Sequence, residues 1–279
     1  MAIFYKYCDS RGVAILQKLE LRISPPNRFN DPFEFSPRIT CSDQVQYARR
    51  LLRDKNNIRA LYSMLCKEGH SPGTFREYRK QAAEERPEMV KAFAAITPQA
   101  ALAAQKVQLD RISSKVGLLC LSATRESILM WSHYCDSHKG FVLGFDACLE
   151  PFLQGKGLRP VKYVKQRVIF DALWRRGSTA FEMYDDELIL SKNEDWKYEQ
   201  EWRQIFKLSS LCRIQRDGLD EFFVSLPPKA IVSVTIGLRC AVETELKVRA
   251  ALQDPRLSHV NIDRVDLHET EFAMKFIPA

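Results

Sequence analysis

The chain has 279 residues, with 42 Lys and Arg against 35 Asp and Glu, a formal net charge of +7. Hydrophobic residues make up 46% and charged residues 28%, enough apolar material for a sizeable core, which excludes wholesale disorder and the collagen-like, low-complexity and repeat classes. The longest apolar stretches, Gly117-Leu-Leu-Cys-Leu and Ile231-Val-Ser-Val-Thr-Ile, fall far short of the roughly 20 residues that cross a bilayer.

Residues 3–7 read as a short aromatic strand where a secretory signal would need a basic patch and a long apolar run, so a cytoplasmic protein without a membrane partner is expected. Val13, Leu16 and Leu19 then recur at helical spacing. A second strand over 20–24 stops at Pro25 and Pro26, because proline fixes φ and donates no hydrogen bond to a ladder. The loop that follows, Phe29-Asn30-Asp31-Pro32-Phe33-Glu34, mixes turn formers with aromatics.

From about Asp43 to Lys115, Val45, Ala48, Leu52 and later Met89, Phe93 and Ile96 recur at helical spacing with no strand between them. This predicts a helical insertion over 43–115 within a single domain spanning 1–279. Between Arg49 and Lys91 there are 11 basic and 6 acidic residues, so most of the positive excess lies here. Such a stretch is either a solvated helical face or a surface that docks nucleic acid or an acidic partner.

Strand patterns return at Gly117–Ala123, Gly140–Asp146, Val161–Val164, Trp202–Leu208, Phe222–Leu226, Ile231–Leu238, His259–Leu267 and Glu271–Ile277. Helices are expected at Ser127–Cys135, Phe170–Ser191 and Glu243–Leu252. Strands dominate both ends, helices cluster in the middle and strict βαβα alternation is missing, which predicts an α+β fold with a mixed or antiparallel sheet.

The P-loop, dinucleotide-binding, nucleophile-elbow and zincin signatures do not occur. The eight cysteines are scattered without a CxxC pair, and His133 and His138 lack a third ligand at recognisable spacing, so no metal site is expected. Three segments offer chemistry instead. Asn30 and Asp31 either build their turn through side-chain to backbone hydrogen bonds or bind a ligand. Trp131, His133 and Tyr134 cluster ahead of His138-Lys139-Gly140, where glycine permits close backbone approach. Alternation on a strand opening near Trp202 places Glu199 and Glu201 on one face, two carboxylates that need a partner such as Arg203 or a ligand unless they simply face solvent.

The motifs Tyr5-Lys6-Tyr7 with Phe29–Glu34, Met130–Tyr134 with His138–Phe141, and Trp196–Arg203 resemble the bacterial family labelled domain of unknown function 2971, whose name implies no activity. A remoter similarity is to ADP-ribosyltransferases. That resemblance implies a split sheet whose cleft binds NAD, with an Arg or His on the first strand, a Ser or Tyr on a middle strand and a catalytic Glu on a late strand. Glu201 would match the catalytic Glu, with Glu199 beside it to orient or deprotonate an acceptor. Lys6, Tyr7, Asn30, Asp31, Ser122, Trp131, His133 and Tyr134 would contact NAD, and Tyr5-Lys6-Tyr7 departs from the usual Arg or His. The implied function is cleavage of NAD with transfer of ADP-ribose to a macromolecular acceptor, as a toxin or antiphage factor. The competing readings are a non-enzymatic ligand-binding or interaction protein and a nucleic-acid-binding module acting through the basic insertion.

Overall fold

The computed structural model describes residues 2–51, 54–67, 69, 71–84, 98–171 and 179–279. The chain forms two compact units. The first comprises Met1–Phe35, Leu109–Gln166 and Leu190–Ala279, and the second Ser36–Gln108 with Arg167–Ile189.

The strands in chain order are β1 (Ile3–Cys8), β2 (Glu20–Ile23), β3 (Arg38–Thr40), β4 (Val116–Ser122), β5 (Phe141–Asp146), β6 (Arg159–Pro160), β7 (Lys162–Val164), β8 (Ile169–Asp171), β9 (Ser191–Asn193), β10 (Glu201–Lys207), β11 (Cys212–Arg216), β12 (Leu219–Ser225), β13 (Ile231–Ile236), β14 (Asn261–Leu267) and β15 (Met274–Pro278). The first unit is built on an eight-stranded sheet in the order β15-β14-β13-β5-β1-β4-β10-β6. β13 and β14 run parallel and the remaining neighbours antiparallel, so the sheet is mixed and the protein is mixed α and β. β11, β12 and β2 form a smaller antiparallel sheet, and β7 pairs in parallel with β9.

Period-two alternation gives the main sheet two different faces. Phe4 and Cys8 of β1, Leu119 and Leu121 of β4 and Phe141, Leu143 and Phe145 of β5 join one core, which the helices Val13–Lys18 and Val242–Ala251 cover through Leu16 and Val248. Tyr5 and Tyr7 point to the other face, where the helix Ile128–Tyr134 packs Met130 and Trp131 against Tyr7, Val142 and Val265. Ser127 caps that helix by accepting a hydrogen bond from the Met130 N–H. Gly140, just ahead of β5, is required by close approach: a Cβ there would lie 1.9 Å from the Cys8 carbonyl oxygen.

In the second unit β3 pairs in parallel with β8, and the helices Gln44–Leu51, Lys55–Lys67, Phe75–Glu84 and most of Pro98–Ser113 account for the stretch expected to be helical. Thr74 and Glu77 form a reciprocal capping box at one of these helices. Met89, Phe93, Ile96 and Leu52, which carry part of the helical expectation, lie outside the described residues. The helix expected over Phe170–Ser191 is corrected: Phe170 belongs to β8, the helix runs Thr179–Leu190, and Ser191 opens β9. Among the described residues no helix is long and apolar enough to cross a membrane.

Candidate functional site

The site forms where the main sheet opens. β1 pairs with β5 at six positions, from Ile3 opposite Asp146 to Cys8 opposite Phe141, but meets β4 only at Tyr5 opposite Ser122. β4 is in turn fully paired with β10, Ser122 standing opposite Glu201. Tyr5, Ser122 and Glu201 thus form one row across three neighbouring strands, on the face away from Phe4. A cleft of about 150 Å³ opens beside that row. Tyr5, Tyr7, Phe29, Met130 and Tyr134 give it an aromatic and apolar lining, and Asn30, Cys120, Ser122, Lys192, Glu199 and Glu201 a polar one.

Behind this lining lies a buried charge cluster. Arg203, two residues along β10 from Glu201 and therefore on the same face, donates from Nε to Glu201 Oε1 at 2.8 Å and from Nη2 to Glu201 Oε2 at 2.9 Å. The same Nη2 donates to Glu34 Oε2 at 2.6 Å, tying the loop after β2 to the sheet across 169 positions of sequence. Phe29 and Phe35 meet edge to face and both lie against the Arg203 guanidinium. From β9, Lys192 Nζ contacts Glu199 Oε2 at 2.5 Å, Glu34 Oε1 at 3.1 Å and Glu201 Oε2 at 3.2 Å. Tyr134 donates its hydroxyl to the remaining oxygen of Glu199 at 2.6 Å. All five charged side chains are almost completely buried.

Burial acts against ionisation of Glu199, Glu201, Lys192 and Arg203, and its balance with their partners decides the outcome. At Glu201 burial raises the pKa, but Arg203 and then Lys192 outweigh it and bring the carboxyl down to about 2. At Glu199 burial prevails over Lys192 and Tyr134, and the pKa is raised. Burial disfavours the Lys192 ammonium, yet Glu201, Glu34 and Glu199 together hold its proton more tightly than usual. Burial and the neighbouring Glu199 likewise raise Tyr134. The two glutamates that look equivalent in sequence therefore have opposite proton affinities.

Local backbone explains how they converge. Glu199 is not on a strand, as alternation predicts, but ends a 3-10 helix over Glu194–Glu199. Gln200 then turns the chain through a left-handed conformation at φ 45°, and β10 begins at Glu201. Ser122 holds this junction by donating its Oγ hydrogen to the Glu199 carbonyl at 2.6 Å, and Tyr163 accepts the Glu201 N–H at 2.7 Å. Neither glutamate faces solvent.

The structure brings Tyr7, Asn30, Ser122, Tyr134, Glu199 and Glu201 together at the cleft. It separates the others. Trp131 has no exposed surface and donates its indole N–H to the Arg125 carbonyl, so it is a core residue and not a ring for stacking on a ligand. His133 is exposed and packs beside Trp196 and Tyr198, away from the lining. Asp31 is buried in its own turn, accepting the Phe33 N–H at 2.8 Å. Lys6 borders the cleft, but alternation sends its side chain to the face of Phe4 and Cys8. Sequence reasoning passed over Lys192, Glu34 and Tyr163 as site members; the available signal was the density of acids around Glu199, which requires a buried cation once the aromatics there are taken as walls.

The fold and site define a mixed α and β protein with an aromatic cleft at a sheet opening, backed by a buried cluster of acids and bases. A family model described as "Protein of unknown function (DUF2971)" matches residues 130–204, a stretch that contains Tyr134, Lys192, Glu199, Glu201 and Arg203 but not Tyr5, Asn30, Glu34 or Ser122. No curated protein and no solved structure matches the chain.

Proposed function

We propose that the protein is an ADP-ribosyltransferase-like enzyme that cleaves NAD and passes ADP-ribose to a macromolecular acceptor. The observation that carries this reading is the row Tyr5, Ser122 and Glu201 on three adjacent strands at the point where the sheet opens. The reading takes this row as the counterpart of the first-strand, middle-strand and late-strand positions of that superfamily, with Tyr5 where Arg or His is usual. The aromatic lining and the anionic cluster fit the nicotinamide-ribose end of the dinucleotide. They fit its diphosphate less well, because of the two lysines bordering the cleft Lys192 is fully engaged and Lys6 projects from the other face.

NAD supplies a glycosidic bond whose electron pair leaves with nicotinamide while positive charge develops on the ribose. Glu201 is held ionised by Arg203 and Lys192, so it offers a fixed negative charge at that moment without reorganisation. Glu199, whose proton affinity is raised, is the carboxylate suited to take the proton that an attacking hydroxyl or amine loses. Tyr134 fixes the orientation of Glu199, and Ser122 fixes the turn that carries it.

Purified protein given NAD, with cell extract as a source of acceptors, is expected to release nicotinamide, and Glu201→Gln to lose that release. Unchanged release by a folded Glu201→Gln sample overturns the reading. One observation favours a second reading, a ligand-binding protein without turnover: both oxygens of Glu201 are already engaged by Arg203 and Lys192. NAD binding without nicotinamide release is the outcome that selects it.

A further inference from the structure

Among the described residues of the cluster, three carboxylates, Glu34, Glu199 and Glu201, face two cations, Lys192 and Arg203, so full ionisation leaves one more negative than positive charge there. Geometry assigns that surplus to Glu199. Arg203 is engaged by Glu201, through both oxygens, and by Glu34, whereas Glu199 shares Lys192 with the other two acids. Glu199 also lines the cleft, alongside Tyr134, Tyr5, Tyr7 and Phe29.

We propose, resting on the reading of this cleft as a nicotinamide-ring site, that it selects ligands by ring charge: it takes a cationic pyridinium ring in preference to the neutral ring of the same shape, and Glu199 sets that preference. A cation beside aromatic faces gains from the ring quadrupoles, and it neutralises a buried carboxylate whose field water does not screen. A neutral ring gains neither. The oxidised dinucleotide is thereby separated from its reduced form at the binding step, before any bond breaks.

The surplus has a second way of being relieved, which is a proton on Glu199. The groups facing it are Lys192 from β9, Tyr134 from the helix Ile128–Tyr134, Glu201 from β10, Tyr163 from β7 and Tyr198 from its own turn. Among these only Lys192 is cationic, and burial prevails over it to raise the Glu199 pKa. A cationic ring and this proton compete for the same charge. Affinity for the cation therefore falls as pH drops through the raised pKa of Glu199, while affinity for a neutral ring stays level.

Calorimetric titration of the full chain with NAD and NADH, and with 1-methylnicotinamide and nicotinamide, tests this. The charged member of each pair is expected to bind roughly tenfold more tightly, and Glu199→Gln to bring the ratio close to one. Tyr134→Phe, which keeps the ring and removes a hydrogen bond to the ionised carboxylate, is expected to move the loss of cation affinity to higher pH. Because 1-methylnicotinamide has no glycosidic bond, turnover does not enter its titration. Equal affinities within both pairs overturn the inference even where NAD is cleaved, and so does the absence of binding by all four. Preference for 1-methylnicotinamide over nicotinamide with neither dinucleotide bound supports charge selection and overturns the NAD reading.

Discussion

Strands β5 and β13 bury Phe141, Val142, Leu143, Phe145, Ile231, Val234 and Ile236, whereas β4 and β10 of the same sheet bury Glu201, Arg203 and Gln204 beside Leu119 and Leu121. Both pairs are antiparallel and extensively hydrogen-bonded, so the backbone does not distinguish them. The difference is what the inward faces hold. Apolar side chains gain from leaving water, each large one contributing about 1.5 to 3 kcal/mol, while a buried ion pair returns little beyond its desolvation cost. One side of the sheet supplies stability and the other carries chemistry that a fold alone would not require.

The largest effects come from breaking each half in its own way. Arg203→Met leaves Glu201 and Glu34 buried with Lys192 as their remaining cation, and is expected to lower unfolding free energy by about 3 to 5 kcal/mol in urea titration. Phe145→Ala in the apolar half is expected to cost a similar 3 to 5 kcal/mol through the cavity it opens. The two part company at the cleft. Ligand binding per folded molecule should survive Phe145→Ala and be lost with Arg203→Met, and equal binding by both variants would dissolve the contrast between the halves.

Acid sharpens the same contrast, because the buried carboxylates Glu199 and Glu201 lie in the charged half. Glu201 is depressed from an ordinary 4.5 to about 2, so its contribution is complete above 4.5 and disappears as pH falls through about 2. That difference corresponds to about 3 kcal/mol. Glu199 has the opposite sign: its raised pKa contributes stability below the ordinary value that is lost as pH rises through the raised one. Urea midpoints of the wild type are expected to fall steeply below pH 4.5, and those of Glu201→Gln to fall less over the same range. Parallel curves for the two proteins would place the acid sensitivity elsewhere.

The apolar half was legible in the sequence and the charged half only partly so. Runs such as Phe141–Asp146 and Ile231–Ile236 are long enough and sufficiently rich in apolar residues to stand out as buried strands, and the segments expected at those places match them to within a few residues. β3, β8 and β9 span three residues each, less than two periods, and their pairing depends on distant partners. At the site, the convergence of Glu199 and Glu201 was visible through their spacing, although the actual cause is the left-handed turn at Gln200 and not an extended strand. The sequence pattern does not single out Glu34 and Lys192, because hydropathy registers a charge and not the counter-charge that buries it, and the Glu34 to Arg203 bridge joins residues far apart in the chain. Trp131 failed for the reverse reason: an aromatic among polar neighbours looks like a ligand wall, but its indole N–H is satisfied by the Arg125 carbonyl and its ring completes a core.

The smallest expected effect tests whether that left-handed turn matters to the cleft. Ser122 Oγ donates to the Glu199 carbonyl at 2.6 Å and accepts the Thr124 N–H at 3.1 Å, so one hydroxyl fixes the backbone on both sides of the cleft-lining row. Ser122→Ala removes both bonds and leaves a buried carbonyl and an N–H without this partner, which is expected to cost about 1 to 3 kcal/mol in urea titration. Glu199 itself keeps Lys192 and Tyr134. If the turn positions the carboxylate, Ser122→Ala should lower nicotinamide release well beyond what its modest loss of folded protein explains, with the Glu201 acid profile unchanged. If release per folded molecule is unaffected, Lys192 and Tyr134 alone hold Glu199, and the row across the strands aligns the sheet without tuning its chemistry.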